Sequence, residues 1–219
     1  MRINSYNSFV IAATCLLATP VLADVTTRYQ KSIEDAAVIE PEEIVALKTL
    51  TGDTAKVVTW TKYPDSYVPG QDTTLSWGET WVTLDGDLQS MCKDYRKKKL
   101  NLRIQQLLGL PPEEDAKRFV VVLEASTRDM FRPCANPSLT ATSCTAGFPE
   151  DASEAHKAWY ATQSAASYNA PEGYPWTRLG YTYNWNAKSN EVGLNEFVIK
   201  KGSTIKTVSV ADTQSYCSL

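Results

Sequence analysis

The stretch RFVVVLEAS, residues 118–126, holds five consecutive apolar residues, three of which are valines. β-Branched side chains fit the pleated surface of a strand better than they fit a helix. An unbroken apolar run of this length is typical of a strand that is buried on both faces of its sheet. The stretch therefore predicts a buried strand with protein on both sides.

Other strands are predicted before and after this one, because several stretches are rich in β-branched and aromatic residues. They lie at residues 56–63, 78–84, 177–185, 195–201 and 204–210. The last two are separated by Gly202 and Ser203, and a short connection of this kind favours a hairpin.

Helices are predicted between the strands where apolar residues recur every three or four positions. One has Leu84, Leu88, Met91, Cys92 and Tyr95 on one face, the next has Leu100, Ile104, Leu107 and Leu108, and the last runs from Ala152 to about Ser167. Residues 24–54 are polar and acidic, and Pro41 suits the first position of one short helix. We expect a single α+β domain over residues 55–219, with a mainly antiparallel sheet, two or three packed helices and disulfide staples.

The first 23 residues have the features of a secretory signal peptide. Arg2 precedes an apolar run at residues 9–17, and small residues lead to Ala23. The run is shorter than the roughly 20 apolar residues that span a bilayer. We expect cleavage after Ala23, a periplasmic or secreted chain, and no transmembrane span after cleavage.

Cysteine usage agrees with export. Cleavage removes Cys15 and leaves an even number of cysteines, for which three disulfide pairings are open: Cys92, Cys134, Cys144 and Cys217. Cys134 and Cys144 flank a short loop, so we expect them to pair, and Cys92 then pairs with Cys217. A zinc site is the alternative, but the chain has one histidine and no C-x-x-C pair. No metal is expected.

The composition argues against several classes of function. The formal net charge of −3 disfavours nucleic acid and anionic membrane surfaces as partners. The sequence contains neither a G-x-S-x-G elbow nor a glycine-rich phosphate loop. We therefore expect no nucleic-acid partner and no cofactor.

The aromatic-rich stretch GYPWTRLGYTYNWN, residues 173–186, changes its pattern at Thr177. From there onward apolar and polar residues alternate, which predicts that Tyr181 and Tyr183 face the core. Before it, Pro175 interrupts any regular ladder. Tyr174 and Trp176 are therefore expected to form an exposed recognition surface on a rigid loop. Arg178 and Trp159 complete the predicted ligand-binding set.

His156 is the single histidine of the chain. On the predicted helix it shares a face with Trp159, and a histidine in such surroundings can act as a general base. Glu154 would supply a carboxylate, and Arg178 would supply a cation for an oxyanion or a phosphate. The alternative is an ordinary surface histidine on a helix that Trp159 packs against the core.

Several blocks resemble a family of uncharacterised secreted bacterial proteins. They are WVTL, RIQQLLGLPP, MFRPCANPS, HKAWYATQSAASY, GYPWTRLGYTYNW and NEFVIKKGS, within residues 81–203. The resemblance implies a bacterial exported protein and implies no catalytic residues.

Together these observations favour a non-enzymatic binding or envelope-associated module that uses an aromatic loop. Its partner would be an envelope component, a glycan or a protein. The alternative is a small hydrolase-like enzyme that uses His156 with Arg178 and a carboxylate.

Overall fold

The computed structural model describes residues 20–95, 99–114, 117–169, 171–186 and 190–219. Most of the predicted signal peptide, residues 1–19, lies outside these ranges. The described residues form an α+β fold with an antiparallel sheet of eight strands. The predicted fold class is confirmed.

The elements follow in chain order. The strands are β1 (Thr54–Thr61), β2 (Asp72–Thr74), β3 (Thr80–Leu84), β4 (Phe119–Ser126), β5 (Met130–Phe131), β6 (Tyr181–Tyr183), β7 (Val192–Ile199) and β8 (Thr204–Asp212). The helices are α1 (Pro20–Ala36), α2 (Asp85–Cys92), α3 (Leu100–Leu107), α4 (Glu154–Ser167) and α5 (Thr213–Cys217). Among the described residues, no helix is both long enough and apolar enough to cross a membrane.

Strand β4 is an interior strand of the sheet, and it is buried as its apolar run predicts. It pairs with β1 over the full length of both strands, from Thr54 opposite Ser126 to Thr61 opposite Phe119. On its other side it pairs with β8. Residues 120–123 are buried, so both faces of β4 are covered by protein.

The predicted hairpin between residues 195–201 and 204–210 is wrong. In the sheet, β7 and β8 are separated by β3, β1 and β4, which is a distance of about 19 Å in a flat sheet. The connection from Ile199 to Thr204 can span at most about 18 Å when fully extended. The sheet is therefore curled, which brings β7 and β8 near each other without pairing them.

The two faces of the sheet carry separate cores. On one face Val57, Leu123, Phe197 and Ile205 pack together beneath loops. On the other face Val58, Trp60 and Val122 pack against the apolar sides of α2, α3 and α5. The helix-covered face is the one that forms the candidate site described below.

Both predicted disulfides are confirmed. Cys92 at the end of α2 is bonded to Cys217 at the end of α5, which links positions 125 residues apart. Cys134 is bonded to Cys144, which is 10 positions later in the chain, and the bond closes a short loop. The first bond fixes the C-terminus to the helical layer, and the second fixes an irregular loop.

The N-terminal segment is more helical than its polarity suggests. The predicted short helix at Pro41 is a single 3₁₀ turn, Pro41–Glu43. The longer helix α1 lies upstream and packs through Tyr29 and Ile33. The Tyr29 ring meets the edge of Trp185 with ring centroids 5.6 Å apart, so α1 covers the strand that contains the alternating aromatic residues.

The two disulfides should differ in their contribution to stability. Replacing both cysteines of the long-range bond by alanine should lower the free energy of unfolding by about 5 kcal/mol, and the same change in the short loop by about 3 kcal/mol, because loop-closure entropy grows with loop length. All four cysteines are buried, so the packing losses are matched. Urea unfolding of the two double variants would measure the difference, and equal losses would contradict the loop-entropy explanation.

Candidate functional site

The loop before β6 does not have the exposure that its prolines predict. Trp176 is buried, with 5% of its surface exposed, whereas Tyr174 is 47% exposed. The Trp176 indole N–H donates to the carbonyl of Pro133 at 3.2 Å, which holds the ring inside. The prediction of an exposed recognition surface is therefore wrong for Trp176, because the loop folds back over the sheet instead of projecting from it.

The residues after Thr177 are buried on both sides of the chain. Tyr181 and Tyr183 lie in the core as predicted. Thr182 and Asn184, which alternate with them, are buried as well. Regular pairing is limited to the short strand β6, so strict alternation between a core face and a solvent face does not hold here.

Arg178 closes the end of α1. Its guanidinium donates to the carbonyls of Ala36 and Ala37, at 3.2 and 2.8 Å. It also stacks over the ring of Tyr168, 5.0 Å from the centroid. A cation at free helix carbonyls is favourable, so these contacts give Arg178 a structural role.

His156 links α4 to the loop closed by the Cys134–Cys144 disulfide. The Nε2 atom lies 2.8 Å from the carbonyl oxygen of Cys134, and because that oxygen can only accept, the ring donates. The imidazole stacks on Trp159 with centroids 5.5 Å apart. No described contact joins His156 to Arg178, although Arg178 interacts with Tyr160, one turn further along the same helix.

Glu154 and Trp159 lie on the same helix as His156. The predicted helix is confirmed, but it begins at Glu154 rather than Ala152, with Ser153 as its N-cap. Glu154 is exposed in the first turn and pairs with Lys157 at 2.8 Å. Trp159 belongs to a cluster of rings, with centroid distances of 5.8 Å to Trp176 and 4.7 Å to Phe131.

The most distinctive chemical group of the fold is the carboxyl of Glu196 on β7. It lies on the helix-covered face, in line with Leu194 and Val198 along the strand. Glu196 is half-buried, and its accessible part faces two adjoining cavities of about 270 and 340 Å³. Burial raises the pKa of its carboxyl from 4.5 to about 8. At neutral pH this carboxyl is therefore mostly protonated.

The cavities exist because the sheet opens beside Glu196. Strands β1 and β3 pair only at Val57 with Leu84 and at Val58 with Thr83. Beyond these pairs the two strands diverge, and Trp81 of β3 lines both cavities. Thr83 lies directly opposite Glu196 in the register of β3 and β7, so both side chains are on the same face.

Aromatic rings form much of the wall of the second cavity. Trp81, Trp176, Tyr174 and Tyr183 all contribute to it. The Trp81 and Trp176 rings are nearly perpendicular, at 86°, with centroids 6.2 Å apart. Two predicted ligand-binding residues, Tyr174 and Trp176, thus line the same cavity. Trp176 is a buried part of its wall, whereas Tyr174 is a partly exposed one.

A separate group of carboxylates lies near the end of α1. Carboxylate oxygens of Asp35, Glu43 and Glu191 lie within 4.8 Å of one another. The pKa values of Glu43 and Glu191 are raised, first by burial and then by neighbouring carboxylates. Hard cations take such oxygen ligands, but acidic groups of this kind are common on surfaces, so the cluster alone does not assign a metal.

Comparisons with known proteins give no match. No protein-family model, no curated protein and no solved structure matches this chain. The site is therefore interpreted from its own geometry.

Glu196 is not among the site residues that the sequence predicts. Its position along β7 could have indicated it. Every second residue of this strand lies on the same face, and the other residues of the face that contains Glu196 are Val192, Leu194 and Val198. A carboxyl in an otherwise apolar set is unusual, because burying a charge without a partner is costly. That set can be assigned to the helix-covered face only when the neighbours of β7 are known.

Trp176 and Tyr174 should respond differently to truncation. Replacing Trp176 with alanine should lower the free energy of unfolding by about 3–5 kcal/mol, because a buried ring and its hydrogen bond are lost. Replacing Tyr174 with alanine should change it by about 0.5 kcal/mol or less, since the ring is exposed. Thermal and urea unfolding would measure both, and equal losses would contradict the assigned burial.

Glu196 should make the folded state less stable as pH rises. Its folded pKa of about 8 is above the ordinary value of 4.5, so its favourable contribution is complete below pH 4.5 and is lost as pH rises through 8. The free energy of unfolding of wild type should therefore fall between pH 5 and pH 8, and that of Glu196→Gln should not show this fall. The difference between the two proteins should change by on the order of 3 kcal/mol over this range, since one pKa unit is about 1.4 kcal/mol.

The measurement is urea unfolding at both pH values. The matched control is Glu124→Gln, which changes an exposed glutamate on β4. The control should leave the pH dependence of stability as in wild type. A Glu196→Gln protein with the wild-type pH dependence would show that the carboxyl is ionised in the fold.

Proposed function

We propose that this chain is an exported bacterial binding protein that holds a small organic ligand in the cavities beside Glu196. The observation that carries the proposal is a largely aromatic cavity wall beside the half-buried carboxyl of Glu196. Ligand sites are typically concave, mostly apolar, and equipped with a few polar groups that orient the ligand. A perturbed pKa inside such a cavity adds support, since perturbed groups cluster at functional sites.

A binding function is favoured over a hydrolase-like activity. The described residues that line the two cavities include no histidine, cysteine or lysine. His156 is on a different groove, against the carbonyl of Cys134. A nucleophile and a base within reach of each other are the mark of covalent catalysis, and the contacts of His156 and Arg178 do not supply that pair.

Export is part of the proposal. It is supported by the signal-like N-terminus and by the two disulfides, which form in oxidising compartments. Cleavage after Ala23 would keep Tyr29 and Ile33, the residues through which α1 packs. The mature protein would then be periplasmic or secreted, and its ligand would come from the envelope or the medium.

A cavity-filling variant tests the ligand site. Leu110 lines both cavities, so Leu110→Trp should occupy the space that a ligand needs. The neutral fluorescent probe N-phenyl-1-naphthylamine should bind the wild-type protein saturably, and Leu110→Trp should weaken that binding at least about tenfold, as expected when a ligand group is displaced. Fluorescence titration measures both affinities.

The matched control is Val208→Trp, which adds the same ring at an exposed position of β8. It should bind the probe as wild type does. Thermal unfolding of both variants would establish that each is folded. The proposal fails if the probe does not saturate, or if folded Leu110→Trp binds it with wild-type affinity.

A further inference from the structure

The polar atoms of the cavity wall are mostly engaged elsewhere. The Trp176 N–H donates to Pro133, and the Tyr183 hydroxyl donates to Asp35 at 2.7 Å. The Thr182 hydroxyl donates to the carbonyl of Leu107 and accepts from the amide of Leu194. The rings of Trp176 and Tyr183 therefore offer the cavity their carbon surfaces and their π-electrons rather than their polar ends.

Two polar groups without a described partner lie opposite each other on β3 and β7, in the wall of the first cavity, where Thr80 Oγ1 and Arg118 Nε are also unpartnered. One is the carboxyl of Glu196, whose pKa is shifted by burial and by no neighbouring charge or hydrogen bond. The other is the hydroxyl of Thr83, which is buried and unpartnered. Because the two residues are directly opposite in the ladder, their Cβ atoms are about 5 Å apart. A ligand group placed there can meet both oxygens.

The arrangement of the rings narrows the chemistry of that ligand group. Trp81 and Trp176 both line the second cavity, and their rings meet edge to face with nearly perpendicular planes. Faces of aromatic rings carry negative potential and attract cations, and sites walled by several such rings hold quaternary ammonium groups. A carboxylate beside these rings supplies the opposite charge, whereas an anion would be repelled by both.

We propose that the cavity between Trp81, Trp176 and Glu196 binds a small organic cation, an alkylammonium or quaternary ammonium group, with its charge on the Glu196 carboxylate. This inference rests on the proposed binding function and names its ligand class. The ligand lies against the aromatic wall of the second cavity, and an N–H that reaches past Glu196 into the first cavity would donate to the Thr83 hydroxyl.

The charge of Glu196 couples this binding to a proton. The titratable groups that face the cavities from other elements are Tyr67, Glu79, Arg118, Tyr174 and Tyr183. Arg118 is paired with Glu113 at 3.0 Å and stacks over Trp60, and the pKa of the Glu196 carboxyl shows no contribution from any of these groups. Below pH 8 a bound cation must therefore displace the carboxyl proton, and its affinity rises with pH.

Choline and its neutral isostere 3,3-dimethylbutan-1-ol provide the test, by calorimetry at pH 6 and pH 9. Because the carboxyl has a pKa of about 8, choline should bind up to about 100-fold more tightly at pH 9 than at pH 6. The isostere should bind more weakly than choline at pH 9 and without pH dependence. At pH 6 wild-type protein should release close to one proton per choline, counted from heats in two buffers, and this measurement needs no variant.

Glu196→Gln should remove both the preference for choline over its isostere and the pH dependence of choline binding. Glu124→Gln, the exposed control, should behave as wild type. The inference is overturned if choline and its isostere bind equally at pH 9, or if Glu196→Gln binds choline with wild-type affinity. If the wild-type protein binds N-phenyl-1-naphthylamine but not choline, only the assignment of a cationic ligand is refuted. If it binds neither compound, the proposed binding function is refuted as well.

Discussion

The pairing of β4 with β1 and β8 is the constraint on which the other elements depend. The ladder between β4 and β1 runs the full length of both strands, and β4 is buried on both faces. Burial of the same strand on two sides requires two separate cores, one beneath loops and one beneath helices. The short connection from β7 to β8 then forces the sheet to curl, which determines where the remaining strands can lie.

The candidate site arises where this regular pairing stops. Beyond Val58, β1 continues along β4 while β3 follows β7. The ladder between β1 and β3 is limited to two residue pairs, so a gap opens between these strands beyond Val58. A carboxyl on the helix-covered face of β7 thus meets cavities instead of packed side chains. The cost of burying an ionisable group there appears as its raised pKa.

The aromatic loop before β6 connects this site to the rest of the molecule. Trp176 contacts Trp81 across the cavity and Trp159 on α4. Trp159 in turn stacks on His156, which bonds to the loop held by the Cys134–Cys144 disulfide. The ring cluster therefore couples the cavity wall to a covalently fixed loop, and this gives the wall a rigid support.

The sequence by itself determined the fold class, the buried strand at residues 118–126, the helix that contains His156 and both disulfide pairings. These features depend on local composition, on periodicity and on the count and spacing of cysteines, all of which are properties of the chain in order. It also predicted that Tyr181 and Tyr183 lie in the core, although the burial of Thr182 and Asn184 beside them does not follow from alternation.

Only the tertiary structure decided which neighbours those faces meet. A proline removes an N–H from a ladder but does not set exposure, so the burial of Trp176 depends on where the loop folds back. Two strands joined by four residues favour a hairpin locally, yet β7 and β8 pair with other strands because more partners are available to each across the sheet. Glu196 could not be predicted for the same reason. Its raised pKa depends on the divergence of β1 and β3, whose residues are more than a hundred positions away in the chain. The local sequence around Glu196 does not show that such a gap lies beside it.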